Sequence, residues 1–344
     1  MKRLHILNDG SYRTGLHGFC LFVSLCTLLL VVAGGMVTST DSGLAVPDWP
    51  LSYGQVMPPM VGGIFYEHGH RMIATFVGFL TVILAVWLWR AEQRRWVRVL
   101  GGIALVAVIL QGVLGGLTVL YLLPTWISVS HATLAQSFFS LTVFLSVVTS
   151  RWWIETRPIE VAKPETIRML ALLTFCAVFL QLVVGALMRH TGSGLAVPDF
   201  PLAYGTLWPS LDAESVLALN QRRAELDLLP VEGMQVAVHL LHRLWAVVVT
   251  FFIFLLANHI FRWHREISRF RETAVILVLL VIFQGLLGAL TVWTGKNPFV
   301  TTAHVATGSL LLGMSLALVS CVYRLLGFPS QKRAGDLAPG RSNG

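Results

Sequence analysis

The sequence predicts an all-α polytopic membrane protein: eight transmembrane helices arranged as two tandem, pseudo-symmetric four-helix bundles, with both termini cytoplasmic. Three observations predict it. Apolar residues fall in blocks about 20 residues long, the length that crosses roughly 30 Å of hydrocarbon, in a chain that is 55% hydrophobic and only 12% charged. Basic residues gather in alternate connections, and the second half of the chain repeats the first. Helices rather than strands follow, because an isolated strand leaves its backbone polar groups unsatisfied in lipid.

The blocks at 18–38, 69–90, 98–120 and 128–150 make the first half, and those at 168–188, 235–258, 273–294 and 302–324 the second. Lys2, Arg3 and Arg13 precede the first block. Arg90, Arg94, Arg95 and Arg98 fill the connection between the second and third, and Arg151, Arg157, Lys163 and Arg168 that between the fourth and fifth. Arg262, Arg265, Arg269 and Arg271 fill that between the sixth and seventh, and Arg324, Lys332, Arg333 and Arg341 mark the tail. The intervening connections hold only Arg189, Arg222, Arg223 and Lys296. The positive-inside rule places the basic side in the cytoplasm. This distribution accounts for the net charge of +8 and argues against nucleic acid as a partner. The N-terminal "MKRLHILNDGSYRTGLHGF" lacks the Ser/Arg-rich amphipathic length of a transit peptide, so a bacterial inner (cytoplasmic) membrane is expected. Cys20, Cys26, Cys176 and Cys321 lie within or at the edges of blocks and the outward connections contain none, so no loop disulfide is expected.

The repeat begins after the first block of each half. "SGLAVPDWPLSYG" at 42–54 returns as "SGLAVPDFPLAYG" at 193–205, with Trp49 replaced by Phe200. "EHGHRMIATFVGFL" from Glu67 matches "HLLHRLWAVVVTFF" from His239, and "QGVLGGLTVL" from Gln111 matches "QGLLGALTVW" from Gln284. "SHATLAQSF" from Ser130 matches "AHVATGSLL" from Ala303. The offset grows after the loop, so the second copy holds an insertion within 208–232, where "DAESVLALNQRRAELD" reads as a short surface helix. Four spans return the chain to its starting side. The halves therefore share one orientation about a pseudo-twofold axis along the membrane normal. The expected division is 15–150 for the first bundle, 168–326 for the second, and a cytoplasmic tail at 327–344.

Of the eleven histidines, four obey the repeat: His70 matches His242, and His131 matches His304. Each begins an even-numbered span near the outward face. One intramembrane histidine reads most simply as a hydrogen-bonded packing residue. Two matched pairs favour ligation, because such residues are costly in a membrane and tend to serve function. Two histidines from facing helices of a bundle form an axial pair for haem, and the spacing fits no structural zinc motif. The shared glycines, Gly112, Gly115 and Gly116 against Gly285 and Gly288, admit either a macrocycle or a close helix neighbour. Arg71 and Arg243 read either as contacts for haem propionates or as interfacial anchors. The repeated loop, with Gly43 and Gly194 expected at tight turns, reads either as a cap that keeps water from a cofactor or as a rigid interfacial turn. Glu67 shares a helix face with His70, whereas the matching position holds His239. It reads either as a proton-transfer group at the first site or as an N-terminal acid complementing the helix dipole.

Taken together, the paired loops and the motifs "EHGHR", "VSHAT", "HLLHR" and "TAHVA" resemble the haem A synthase family of cytochrome oxidase assembly, over nearly all of residues 15–326. The resemblance implies oxidation of the C8 methyl of haem O to a formyl group, by way of an alcohol and a gem-diol that loses water. It implies that His70 and His131 hold the substrate haem O, that Glu67 is catalytic, and that His242 and His304 ligate a haem b, their iron being the metal bound. It implies a haem O synthase as supplier, an electron donor, and room for a homo-oligomer. The first outward loop, "STDSGLAVPDWPL", lacks the cysteine pair of some bacterial members, so the chain resembles the cysteine-free branch. A di-haem electron carrier would leave Glu67 against His239 unexplained. A transporter of parallel repeats would place its polar residues nearer mid-membrane.

Overall fold

The computed structural model describes residues 11–327. Helix α1 spans Thr14–Ser39, α2 Gly63–Ala91, α3 Arg95–Leu120 and α4 Thr125–Val148. A short α5, Arg151–Glu155, leads to α6, Pro164–His190, and a second short helix, α7, Ala213–Ala224, fills the insertion of the second half. Helices α8 (Gly233–Trp263), α9 (Ser268–Trp293) and α10 (Pro298–Leu326) complete the chain. Eight of these are long and apolar enough to cross a membrane, and the described residues contain no strand, so the protein is an all-helical, multi-pass membrane protein.

The helices outrun most of the apolar blocks because caps, not hydropathy, set their ends. The Asn297 side chain accepts from the N–H groups of Phe299 and Val300 and Pro298 opens α10, while Pro164 opens α6. Glu232 and Gln235 form a capping box at α8. Two expected spans run past their helices: α4 stops at Val148 and α9 at Trp293, not at 150 and 294. After α4 the Ser150 hydroxyl accepts from the Trp153 N–H and starts α5 instead.

The long helices touch in two closed circuits. Helix α1 packs on α2, α2 on α3, α3 on α4 and α4 back on α1, and α6, α8, α9 and α10 do the same in that order. The circuits meet along α1 with α10, α4 with α10 and α4 with α6. Under the sequence repeat α1 corresponds to α6 and α4 to α10, so the first and third contacts exchange and the second maps onto itself. Helix α10 is the most enclosed, with 61% of its apolar window buried against 22% for α3 and α9. Small residues admit it, as is usual where helices pack in lipid. A Cβ on Gly308 would stand 2.9 Å from Leu182 of α6, and one on Gly313 3.2 Å from Phe139 of α4.

At the ends away from the repeated loops, several of the basic residues bind helix-end carbonyls. Arg324 donates to the carbonyls of Trp153 and Thr156 (both 2.6 Å), and Arg168 to those of Leu326 and Gly327. Arg94, buried in the turn between α2 and α3, donates to Val148 O (2.9 Å) and to both carboxylate oxygens of Glu92. Burial alone would raise the Glu92 pKa, but the hydrogen bonds from Arg94 outweigh it and leave the carboxyl below its ordinary value. A depressed carboxyl stabilises the fold above its unfolded pKa and loses that contribution as pH falls through the folded one. Arg94→Met should therefore cost about 3–5 kcal/mol, the penalty of an orphaned buried charge, read as a lower melting temperature in detergent. The deficit relative to wild type should narrow on acidification, starting above the ordinary carboxylate value, where the orphaned Glu92 takes up a proton, and ending below it, where the wild-type carboxyl does. A deficit independent of pH would remove Glu92 from the explanation.

Candidate functional site

The sequence places one of the four repeated histidines on each of α2, α4, α8 and α10, and the structure sets each ring against a glycine of a neighbouring helix. A Cβ on Gly34 would lie 3.1 Å from His70 Cε1, one on Gly115 3.2 Å from His131 Cε1, one on Gly185 3.1 Å from His242 Cε1 and one on Gly288 3.3 Å from His304 Cε1. The rings of His242 and His304 are 6.4 Å apart between centroids and nearly edge to face. His70 and His131 lie on α2 and α4 of one circuit, each ring against a glycine of α1 or α3. Gln111 donates to His131 O (2.9 Å) and Gln181 to His242 O (3.0 Å), while the Gln284 amide reaches His304 Nε2 at 3.4 Å.

These pairs fit a haem on the donor chemistry. Nδ1 of His70, His131 and His304 is buried without a hydrogen-bond partner, an expensive state for a ring nitrogen in a low-dielectric interior. Among the described residues no three His, Cys, Asp or Glu side chains converge on one point. Each circuit therefore offers iron two imidazoles, and a macrocycle would supply the remaining ligands.

Above each pair lies the repeated loop, built identically in both halves. The Asp48 carboxylate accepts from the N–H groups of Tyr53 (2.7 Å) and Gly54 (2.8 Å), and Asp199 accepts from those of Tyr204 (2.7 Å) and Gly205 (2.9 Å). Those bonds, from Gly54 first and then Tyr53, hold the Asp48 carboxyl below its ordinary pKa. The Tyr53 hydroxyl donates to Ala45 O and the Tyr204 hydroxyl to Ala196 O. Gly43 and Gly194 lie in tight turns as expected, closed by Ala45 N–H to Ser42 O and Ala196 N–H to Ser193 O (both 3.0 Å), and a Cβ on either would face Leu123 at 3.4 Å or Lys296 at 3.3 Å. The left-handed backbone falls elsewhere, at Tyr53, Gly54, Tyr204 and Gly205.

Arg71 and Arg243 fasten the loops. Arg71 donates to the carbonyls of Val46, Asp48 and Leu51 and to Glu67 Oε1 at 2.6 Å. Arg243 donates to the carbonyls of Val197, Asp199 and Leu202. Glu67 is buried, and its other oxygen accepts from the Val46 N–H at 2.7 Å. In the second half the same loop N–H, that of Val197, points at His239 Nδ1 (3.4 Å), which also lies 3.0 Å from Ser193 O. The one backbone donor thus meets a carboxylate in the first half and an imidazole in the second.

Two further differences between the halves escaped sequence reading. His68 is buried with Nδ1 2.8 Å from the Ser52 hydroxyl. The matching positions hold Leu240 and Ala203, both buried in an apolar cluster. Of the shared glycines, Gly112 and Gly285 have open space, whereas a Cβ on Gly116 would meet the Trp49 indole at 2.7 Å. The second half pairs Ala289 with Phe200, whose ring stands edge-on to Trp293 and under Arg243. The signal was present in the aligned strings, where Ser52 with His68 and Trp49 with Gly116 change together.

Comparison with known proteins agrees in extent with this duplicated plan. The COX15-CtaA family model, described as "Cytochrome oxidase assembly protein", matches residues 17–62 and 60–316. A "Heme A synthase" from Geobacillus kaustophilus is 27% identical over 93% of this chain and 96% of its own length. One from Halalkalibacterium halodurans is 28% identical over 85% and 92%, and one from Shouchella clausii 28% over 90% and 98%.

The Trp49–Gly116 contact makes a test of the loop's seating. Gly116→Ala should destabilise by about 1–3 kcal/mol through overpacking, and Trp49→Phe should relieve most of it. A double-mutant cycle by thermal unfolding should give a coupling of at least about 0.5 kcal/mol; additive effects would mean that the indole does not press on this helix.

Proposed function

The chain belongs to the COX15-CtaA family of cytochrome oxidase assembly proteins, and we propose that it works there as a haem A synthase, oxidising the C8 methyl of haem O to a formyl group. The observation that carries the reading is the pair of buried histidine sites, in which Nδ1 of His70, His131 and His304 has no hydrogen-bond partner and only the first of which has a carboxylate fixed beside it. The names of the relatives, "Heme A synthase", support it.

In this reading the circuit within 15–150 takes haem O between His70 and His131, and the circuit within 168–326 holds a haem b between His242 and His304. Bound haem iron would supply the redox chemistry. The chain's own residues do the rest. Gly34, Gly115, Gly185 and Gly288 leave space beside the rings. The two loops, each locked by an aspartate and an arginine, keep water from the sites. Glu67, held at both oxygens by Arg71 and the Val46 N–H, moves a proton or offsets positive charge that develops at the substrate. Arg71 and Arg243 add positive charge at the rim, the side on which propionates were expected, although a propionate would have to share them with the loop carbonyls.

The basic connections support, by the positive-inside rule, a reading with both termini in the cytoplasm and the haem sites toward the outer (periplasmic) side of a bacterial inner membrane. The tail at 327–344 then lies on the cytoplasmic side; residues 328–344 are outside the described residues. Haem O would come from a haem O synthase and electrons would leave or enter through a separate donor protein, with the haem b as relay. A homo-oligomer is compatible with this arrangement.

The test is extraction of haem from the purified protein after co-expression with a source of haem O, followed by chromatography and mass spectrometry. Wild type should yield haem B together with haem A or hydroxylated haem O. Glu67→Gln should keep the fold and the haem B but lower modified haem by about 100-fold or more, the scale of a lost proton-transfer group. Two haem B per chain and no modified haem in wild type would point to an electron carrier. Full activity in the variant would take Glu67 out of the mechanism.

A further inference from the structure

The haem reading leaves charges to be placed. A haem carries carboxylate side arms, yet the four N–H donors on the terminal nitrogens of Arg71 are engaged by three loop carbonyls and Glu67, and Arg243 spans three loop carbonyls. Another arginine stands at the seam between the circuits. Arg189, in the last turn of α6, donates through Nη2 to Gly35 O (3.1 Å) and Ser39 Oγ (2.6 Å) of α1. Ser39 Oγ also accepts from the Thr302 hydroxyl (3.2 Å) on α10, two residues before His304. The carbonyl of its neighbour His190 accepts from the Thr125 hydroxyl of α4 (3.2 Å), and Gly35 follows the glycine that faces His70. This dipeptide therefore lies at the seam between the two histidine-bearing circuits.

Among the described residues Arg189 takes part in none of the ion pairs. Asp41, exposed at the end of the loop, acts on it only through space. The repeat does not explain it either: the matching position is Thr38, whose hydroxyl turns back to Gly34 O. A guanidinium withdrawn from water without a counter-charge is costly, and its planar fork suits a carboxylate.

We propose that Arg189 binds a carboxylate side arm of the haem held by His242 and His304. The proposal rests on the reading of that pair as a haem b site. A fixed cation near the iron favours the reduced, less positive state, so Arg189 also raises the potential of that haem and sets it as an electron acceptor for the first site.

The test compares full-length wild type with Arg189→Gln, Arg189→Lys and Ser39→Ala in detergent, reading haem b content, absorption spectrum and midpoint potential. Arg189→Gln should keep the spectrum but show a lower midpoint, or lose haem b while Arg189→Lys retains it. Arg189→Lys should stay close to wild type. Ser39→Ala, which removes the seam partner and not the charge, should not move the potential. A wild-type potential in Arg189→Gln overturns the proposal. So does an equal drop in Ser39→Ala, which would assign the effect to seam packing, and so does equal loss of haem from folded Gln and Lys variants. A wild type that binds no haem b fails at an earlier step, refuting the functional reading together with the proposal, and needs no variant to be recognised.

Discussion

Each half of this protein depends on one guanidinium holding a loop of bare carbonyls over the end of a helix. The loop has only single turns and one short bridge of its own, Ser52 with Gln55 or Ala203 with Thr206, to satisfy its backbone, and it sits where lipid gives way to water. Arg71 and Arg243, each one residue after an inner histidine, collect three of those carbonyls apiece. Because the arginine and the histidine share one helix turn, whatever fixes the loop also fixes the height of the ring beneath it. The aspartate in the loop completes the lock from the other side by accepting two consecutive N–H groups. A proline-rich string can be copied nearly letter for letter in such a frame, because its conformation is specified by contacts that the copy carries with it.

Against that shared frame the differences acquire meaning. The first half has Glu67, His68 and Ser52 where the second has His239, Leu240 and Ala203. The changes occur in contacting positions: His68 bonds Ser52, and Glu67 receives the loop N–H that His239 receives in the other copy. To the arginine contacts that both loops share, the first therefore adds the Ser52–His68 hydrogen bond where the second packs Ala203 and Leu240 in an apolar cluster. Apolar contacts suit a cofactor installed once. Polar contacts, which water can replace during opening, suit a site that must admit a substrate and release a product.

The eight helices long and apolar enough to cross a membrane were legible because hydropathy is a long signal. The repeat marks the four histidines twice, which is what singled them out. The tight turns at Gly43 and Gly194 were legible from their glycines, but the left-handed backbone carried by Tyr53 and Tyr204 with the glycines after them was not. Propensity alone does not reveal that a tyrosine held at its hydroxyl and its amide tolerates the left-handed region. The partners of Arg94, Arg168 and Arg324 were invisible for another reason. A basic residue at a helix end satisfies the charge rule whether it faces water or a neighbouring helix's carbonyls, and only the tertiary contact distinguishes the two.

The symmetry of the assembly also bears on how the halves communicate. The contact between α4 and α10 maps onto itself under the repeat, and these helices carry one histidine of each pair. The two helices approach closely there: a Cβ on Gly313 would stand 3.2 Å from Phe139. A strictly symmetric seam would treat the two sites alike. Arg189 breaks it by placing a positive charge on the α6 side, where the α1 side has Thr38. An electrostatic difference at the seam is what two chemically similar histidine pairs need if electrons are to move preferentially from one to the other, because identical surroundings would leave no difference in potential to direct them.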